Sequence, residues 1–265
     1  MPGIEGWNYM SRIRAAFENK KAFIPFITGG DPDLEITEKL VPRLAAAGAD
    51  LIEIGIPFSD PVAEGPVIQA ASERALKAGC TLDKLFVTVT RIREKTDVPL
   101  LFMTYLNPVY TYGKDKFLAR CRACGIDGII VPDMPFEEKG ELAAVCKKYG
   151  VDLISLIAPT SEERIQIIAR QAEGFLYCVS SLGVTGMRSR IETDLAAMIG
   201  KAKAVADIPC AVGFGISTAQ QAAGIAKIAD GVIVGSAIVN LMARYGRDCL
   251  EPVCRFVQEL KNSLV

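Results

Sequence analysis

Glu53 stands in the middle of LIEIGI, residues 51 to 56, a run that is otherwise apolar, and Glu64 follows it in the loop DPVAEGP. An unpaired carboxylate in an apolar strand is costly unless it finds a partner or neutralises by raising its pKa. Glu53 therefore reads in one of two ways: as a structural acid held by an ion pair or hydrogen bond in the core, or as a proton-shuttling acid/base with its pKa lifted towards neutrality. Glu64 reads as a second carboxylate of such a site or as a solvated turn former. Asp60 and Asp133 lie beside prolines, where turn and cap aspartates are common, and take no chemical role by themselves.

The chain has no histidine. That removes the commonest general base, the usual zinc ligand and the middle member of a Ser-His-Asp or Cys-His arrangement. Acid and base work must fall to carboxylates. Cys121 and Cys124 form one C-x-x-C inside FLARCRACGI, a helix-like segment ending at a glycine, with no second pair to complete a metal site. They read as small buried apolar residues, and no metal is expected.

A second constellation is made of glycines. GVTG (183 to 186, with Gly186), GFGIS (213 to 217, with Gly215) and VGSAI (234 to 238, with Ser236) each follow a strand-like run. Backbone N–H groups exposed at glycine turns and helix N-termini form an anion cradle, and no lysine is required. Three such segments in consecutive units predict a phosphate site, which alone does not name a reaction.

These residues need a scaffold, and the hydrophobic pattern supplies one. Short continuous apolar runs recur at 23 to 28, 51 to 56, 99 to 105, 128 to 132, 152 to 158, 175 to 181, 210 to 215 and 231 to 235, separated by helix-patterned segments. Continuous rather than alternating hydrophobicity marks strands buried on both faces, and helices between them force parallel pairing. The expected fold is an α/β TIM (β/α)8 barrel, a single domain over residues 1 to 265, with a doubly wound open sheet as the competing architecture. Two intervals are extended, giving long loops after strands 2 and 6, where barrel active sites are built. WNYMSRIRAAFENKKA, ahead of the first strand, reads as an extra N-terminal helix that plugs the barrel's other end.

Composition narrows the partners. The 265 residues are 50% hydrophobic, and 30 basic against 31 acidic residues leave a net charge of -1, with no basic stripe to hold nucleic acid. No apolar run approaches a membrane span and no signal-peptide core is evident. Eight cysteines, mostly scattered singly, fit reduced thiols, so a cytoplasmic protein is expected.

With these segments in view, the chain resembles the tryptophan synthase α-subunit family over nearly its whole length. FIPFITGGDPD, EIGIPFSDPVAEGPVIQ, FMTYLNPVYTYG, IDGIIVPDMPFEE, LIAPTS, GFLYCVSSLGVTG, AVGFGIS and GVIVGSAIV look like that family's signatures in its order. The resemblance implies a TIM barrel that cleaves indole-3-glycerol phosphate to indole and glyceraldehyde 3-phosphate, a retro-aldol reaction in tryptophan biosynthesis that needs no metal or bound cofactor. It implies that Glu53 shuttles protons between the glycerol hydroxyl and indole C3, that Glu64 hydrogen-bonds the indole N–H, and that Tyr177 stands beside them. Gly186, Gly215 and Ser236 fall in segments similar to the family's phosphate-binding ones, and Thr185 matches a threonine that closes onto the second carboxylate. Glu64 itself departs from the family, which has aspartate there: the charge is kept and the arm grows by a methylene. A catalytic group displaced by about 1 Å can cost around 100-fold in rate.

A partner is implied too: a pyridoxal-phosphate β subunit in an α2β2 complex, meeting the chain near Pro57 to Glu64, Asn107, Pro108 and the strand 6 loop. The same resemblance leaves room for a free-standing lyase that releases indole, and for a weakly catalytic phosphate-binding barrel that activates the β subunit. A different phosphate-binding barrel, such as a sugar-phosphate isomerase, is the more distant alternative.

Overall fold

The computed structural model describes residues 11–159, 161–179, 188–213 and 215–264, with residues 188–194 described through their backbone alone. Eight parallel strands pair in chain order: β1 (Ala22–Thr28), β2 (Ile52–Gly55), β3 (Leu100–Met103), β4 (Gly128–Ile130), β5 (Asp152–Ile157), β6 (Leu176–Val179), β7 (Cys210–Gly213) and β8 (Gly231–Val234). β1 also pairs with β8, from Ala22 opposite Gly231 to Pro25 opposite Val234, which closes the barrel and rules out the open sheet. Seven strands lie within their predicted runs, β1 starts one residue earlier at Ala22, and several stop short. The run 99 to 105 narrows to Leu100–Met103 because Tyr105 already opens the next loop.

The apolar continuity has a direct cause. Along β1, Phe23 and Ile27 pack outward among the helices, whereas Ala22 and Ile24 pack inward with Leu51, Leu101, Ile130, Ile154, Ala211 and Ile233. Both faces are dry, so neither can carry an unpaired polar side chain without cost.

Capping sets the helix starts. Asp33 accepts from the Ile36 N–H at 2.9 Å, and Thr218 with Gln221 makes a capping box. Gly125 and Gly150 end their helices in the left-handed region, as glycine readily does.

Within the predicted N-terminal helix the described part holds one helical turn, Arg12–Ala15, capped at Ala16 and followed by a turn with Asn19 at positive φ. Its plug role stands on contacts. Ile13 and Phe17 fill the strand-start end of the barrel, with the Phe17 ring 5.4 Å from that of Phe175. A Cβ on Gly128 would come within 2.9 Å of Ile13, and one on Gly231 within 2.8 Å of Phe17, so these strands must begin with glycine for the plug to seat.

The extra length after β2 resolves into a loop plus an additional helix, Pro66–Lys77, ahead of Leu82–Arg93. Arg74 on that added helix forks onto Asp31 in the loop after β1, both N–H···O contacts being 2.8 Å, with the Asp31 side chain 1% exposed. Arg74→Met leaves a buried carboxylate without its cation and is expected to cost about 3 kcal/mol, since removing one partner of a buried pair strands the other. Urea unfolding checks it, and a loss below about 1 kcal/mol would contradict the brace.

Among the described residues no helix is long and apolar enough to cross a membrane. All eight cysteines are free thiols, seven of them buried and Cys254 half-buried; Cys121 and Cys124 sit in the helix Lys114–Cys124 as apolar packing.

Candidate active site

Every strand points the same way, so the ends opposite the Ile13 and Phe17 plug form one mouth. A cavity of about 860 Å³ opens there, and Glu64, Tyr177, Gly215 and Ser236 all line it, beside Phe26 and Met103. Four of the sequence-nominated residues are thereby brought together, from the segments after β2, β7 and β8 and from β6 itself.

Glu53 lies just below them. On β2 the neighbours Ile52 and Ile54 face the helices, so Glu53 faces inward, in register with Phe26 of β1 and Leu101 of β3. It is 0% exposed, and neither carboxylate oxygen has a hydrogen-bond partner among the described residues. Burial alone pushes its pKa up to about 8. Among the described residues, the structural alternative, an acid held by a partner, finds no partner for it. A carboxyl that is protonated near neutrality yet close to ionising is suited to both giving and taking a proton.

Tyr177 faces the same interior. Burial pushes its phenol well above the usual range, and the neighbouring Glu53 adds to the shift. Its hydroxyl lies 2.5 Å from where a Cβ on residue 213 would stand, so Gly213 is what lets the ring fit.

Glu64 reaches the cavity from the β2 loop. Burial raises its pKa, and hydrogen bonding from the Tyr105 hydroxyl pulls against that. Tyr105 also tethers the loop, because the Ala63 N–H donates to its hydroxyl at 3.1 Å, and Gln69 Nε2 donates to the Glu64 carbonyl at 2.8 Å. The loop carrying Glu64 is thus held through its backbone, while the buried Oε2 of its carboxylate has no hydrogen-bond partner among the described residues. Tyr105→Phe removes the donor that favours the ionised form; Glu64 is expected to titrate higher and turnover to fall about tenfold. A pH profile of kcat/KM checks it, the Glu64 limb moving to higher pH.

The anion cradle has a structural basis at two of its three nominated segments. Gly215 turns at φ +71, and the helix Ser236–Tyr245 starts at the cavity wall with no side chain capping it. Its first N–H groups are the ones an anion can use. The helix after β7 is different, being closed by its own Thr218 capping box. Thr185 and Gly186 lie outside the described residues.

Sequence reasoning missed Tyr105, Phe26 and Met103. Tyr105 carried a usable signal, standing at the C-terminal end of a predicted barrel strand, where side chains reach the active face. Phe26 and Met103 read only as core.

Comparison with known proteins agrees with this fold. Residues 13–264 match the family model described as tryptophan synthase alpha chain. The tryptophan synthase alpha chain of Lactiplantibacillus plantarum is 52% identical over 237 residues, 89% of this chain and 90% of that one. The one from Lacticaseibacillus casei is 47% identical over 252 residues, 95% of each. Among solved structures, the tryptophan synthase subunit alpha of Legionella pneumophila superposes with a TM-score of 0.87 at 39% identity, covering 96% of this chain and 98% of that one. A chain of the tryptophan synthase α2β2 complex of Pyrococcus furiosus gives 0.84 at 38% identity, over 91% and 98%. With a closed barrel, two carboxylates at its mouth and a match over nearly its full length, the chain belongs to the tryptophan synthase alpha chain family.

Proposed function

We propose that this chain, acting as one domain, cleaves indole-3-glycerol phosphate to indole and glyceraldehyde 3-phosphate in the last steps of tryptophan biosynthesis in the cytoplasm. The observation that carries the reading is the buried, unpaired Glu53 carboxyl beneath a cavity that Glu64 enters from above. In the scheme, protonated Glu53 delivers its proton to indole C3, and the positive charge that develops at the ring N–H is met by Glu64. The resulting Glu53 carboxylate takes the proton of the glycerol hydroxyl. The C–C bond to C3 then breaks: the hydroxyl oxygen becomes the aldehyde, and the bonding pair returns to the ring, giving indole. Glu53 ends protonated, as it began. The phosphate rests against the Gly215 turn and the start of the helix at Ser236, and Tyr177 packs beside the reacting ring. This route uses no metal or cofactor.

The reading includes a pyridoxal-phosphate β subunit as partner in an α2β2 complex. Pro57, Phe58, Asn107 and Pro108 line one further cleft of about 320 Å³, and Val62 in the same loop is 80% exposed. That supports a docking face beside the mouth, where indole would leave. The test is indole formation from indole-3-glycerol phosphate with and without purified β subunit. Absence of indole in both arms would sink the reading, and stimulation below about twofold would favour a free-standing lyase.

A further inference from the structure

The large cavity does not stop at the barrel mouth. Along β5, Ile154 and Leu156 face the interior whereas Leu153 and Ile157 face the helices, so Ser155 between them faces outward too. Residues of both sets line the same cavity. It therefore has a lateral branch outside the barrel wall, between the helices Gly140–Tyr149 and Glu162–Arg170. Each of those helices packs on β5 and on its other neighbour, and little on the other.

The branch has a chemical character of its own. Leu153, Ile157, Ile168 and Phe136 make it apolar. Ser155, only 8% exposed, forms no hydrogen bond with another described side chain and lines the branch on its strand side. At the rim, Lys139 Nζ sits 4.2 Å from the Phe136 ring centroid and donates to the Gln171 carbonyl at 3.3 Å. No carboxylate among the described residues pairs with it. Glu173 is the acid whose charge it feels, and that carboxylate accepts the Leu153 N–H at 3.1 Å. Arg164, the other cation of the wall, is held bidentately by Glu137. Lys139 is thus a partly desolvated cation with unused donors, beside an apolar slot with a buried hydroxyl.

We propose that this branch is a second ligand site, separate from the mouth, for a small aromatic carboxylate. The ring lies between Phe136, Ile157 and Ile168, the carboxylate accepts from Lys139 Nζ, and Ser155 meets a polar ring atom. Such a ligand would press on β5, whose inward Leu156 lines the mouth, so its occupancy is positioned to act on the substrate cavity.

Calorimetric titration of the full chain with 2-naphthoate, and with neutral 2-naphthamide, tests this. Saturable binding of 2-naphthoate is expected, weakened at least about tenfold in Lys139→Met while 2-naphthamide changes less than about twofold. Ile168→Trp, which fills the slot, is expected to remove both, and Ser155→Leu, which fills it from the strand side, serves if that variant folds poorly. Equal affinity in Lys139→Met, or no saturable binding, overturns the site. So does competitive displacement of 2-naphthoate by indole-3-glycerol phosphate from the Glu53→Gln chain, which would put the probe in the mouth. Failure of the lyase reading would appear separately, as absent indole formation by the unsubstituted chain.

Discussion

Replacing Glu53 with Gln is expected to lower indole formation by about 10²- to 10⁴-fold, the range a positioned acid/base contributes, and to stabilise the fold at alkaline pH. The two effects share one cause. With its pKa near 8 in the folded chain against an ordinary value of 4.5, Glu53 holds a proton that the unfolded chain releases. Between those values the folded state binds more protons, so stability falls as pH rises through that window and levels off above it. At about 1.36 kcal/mol per pKa unit the full loss has a ceiling on the order of 5 kcal/mol. Gln buries the same shape without the ionisation. The variant should match the native chain near pH 5 and exceed it near pH 9 in urea unfolding. Equal stabilities at pH 9 would show that the carboxyl is not as desolvated as the geometry makes it; unchanged indole production would remove the acid/base role.

Glu64→Gln carries the next largest effect, a fall of about 10- to 100-fold, because a neutral amide gives up the charge-assisted hydrogen bond to the developing cation. Glu64→Asp separates charge from reach. It keeps the charge and restores the family's shorter arm, so it is expected to stay within about tenfold of the native rate. Turnover above native would mark the extra methylene as a handicap, and a loss as deep as that of Gln would make length, rather than charge, the requirement.

How much of this was readable beforehand depends on the residue. The strands were legible because burial on both faces writes a continuous apolar run, as in β1 and β8. Closure was not, since only the register of β1 against β8 shows it. Glu53 announced itself as a charge where none belongs. Tyr177 did not: inside FLYCVSS an inward tyrosine is indistinguishable from a core aromatic, and only the family resemblance singled it out. Tyr105 was missed because its role depends on a loop 42 residues earlier folding back to it. Ser155 and Lys139 gave no signal either. One is a polar break in DLISLIA and the other a lysine in a charged helix start, and it takes the splay of two helices to place them on one cavity.

The cysteines, placed above as packing, turn the barrel into its own reporter. Burial pushes the thiols of Cys80, Cys124 and Cys249 up to about 11 and that of Cys146 up to about 12. The thiolate is the form that reacts with iodoacetamide, so these positions are shielded twice, by access and by protonation. Modification at them therefore waits for the wall to breathe open, and at low reagent its pace follows the equilibrium population of opened molecules. Mass spectrometry of the alkylated peptides would then rank the stability of the barrel's sectors without a single engineered label.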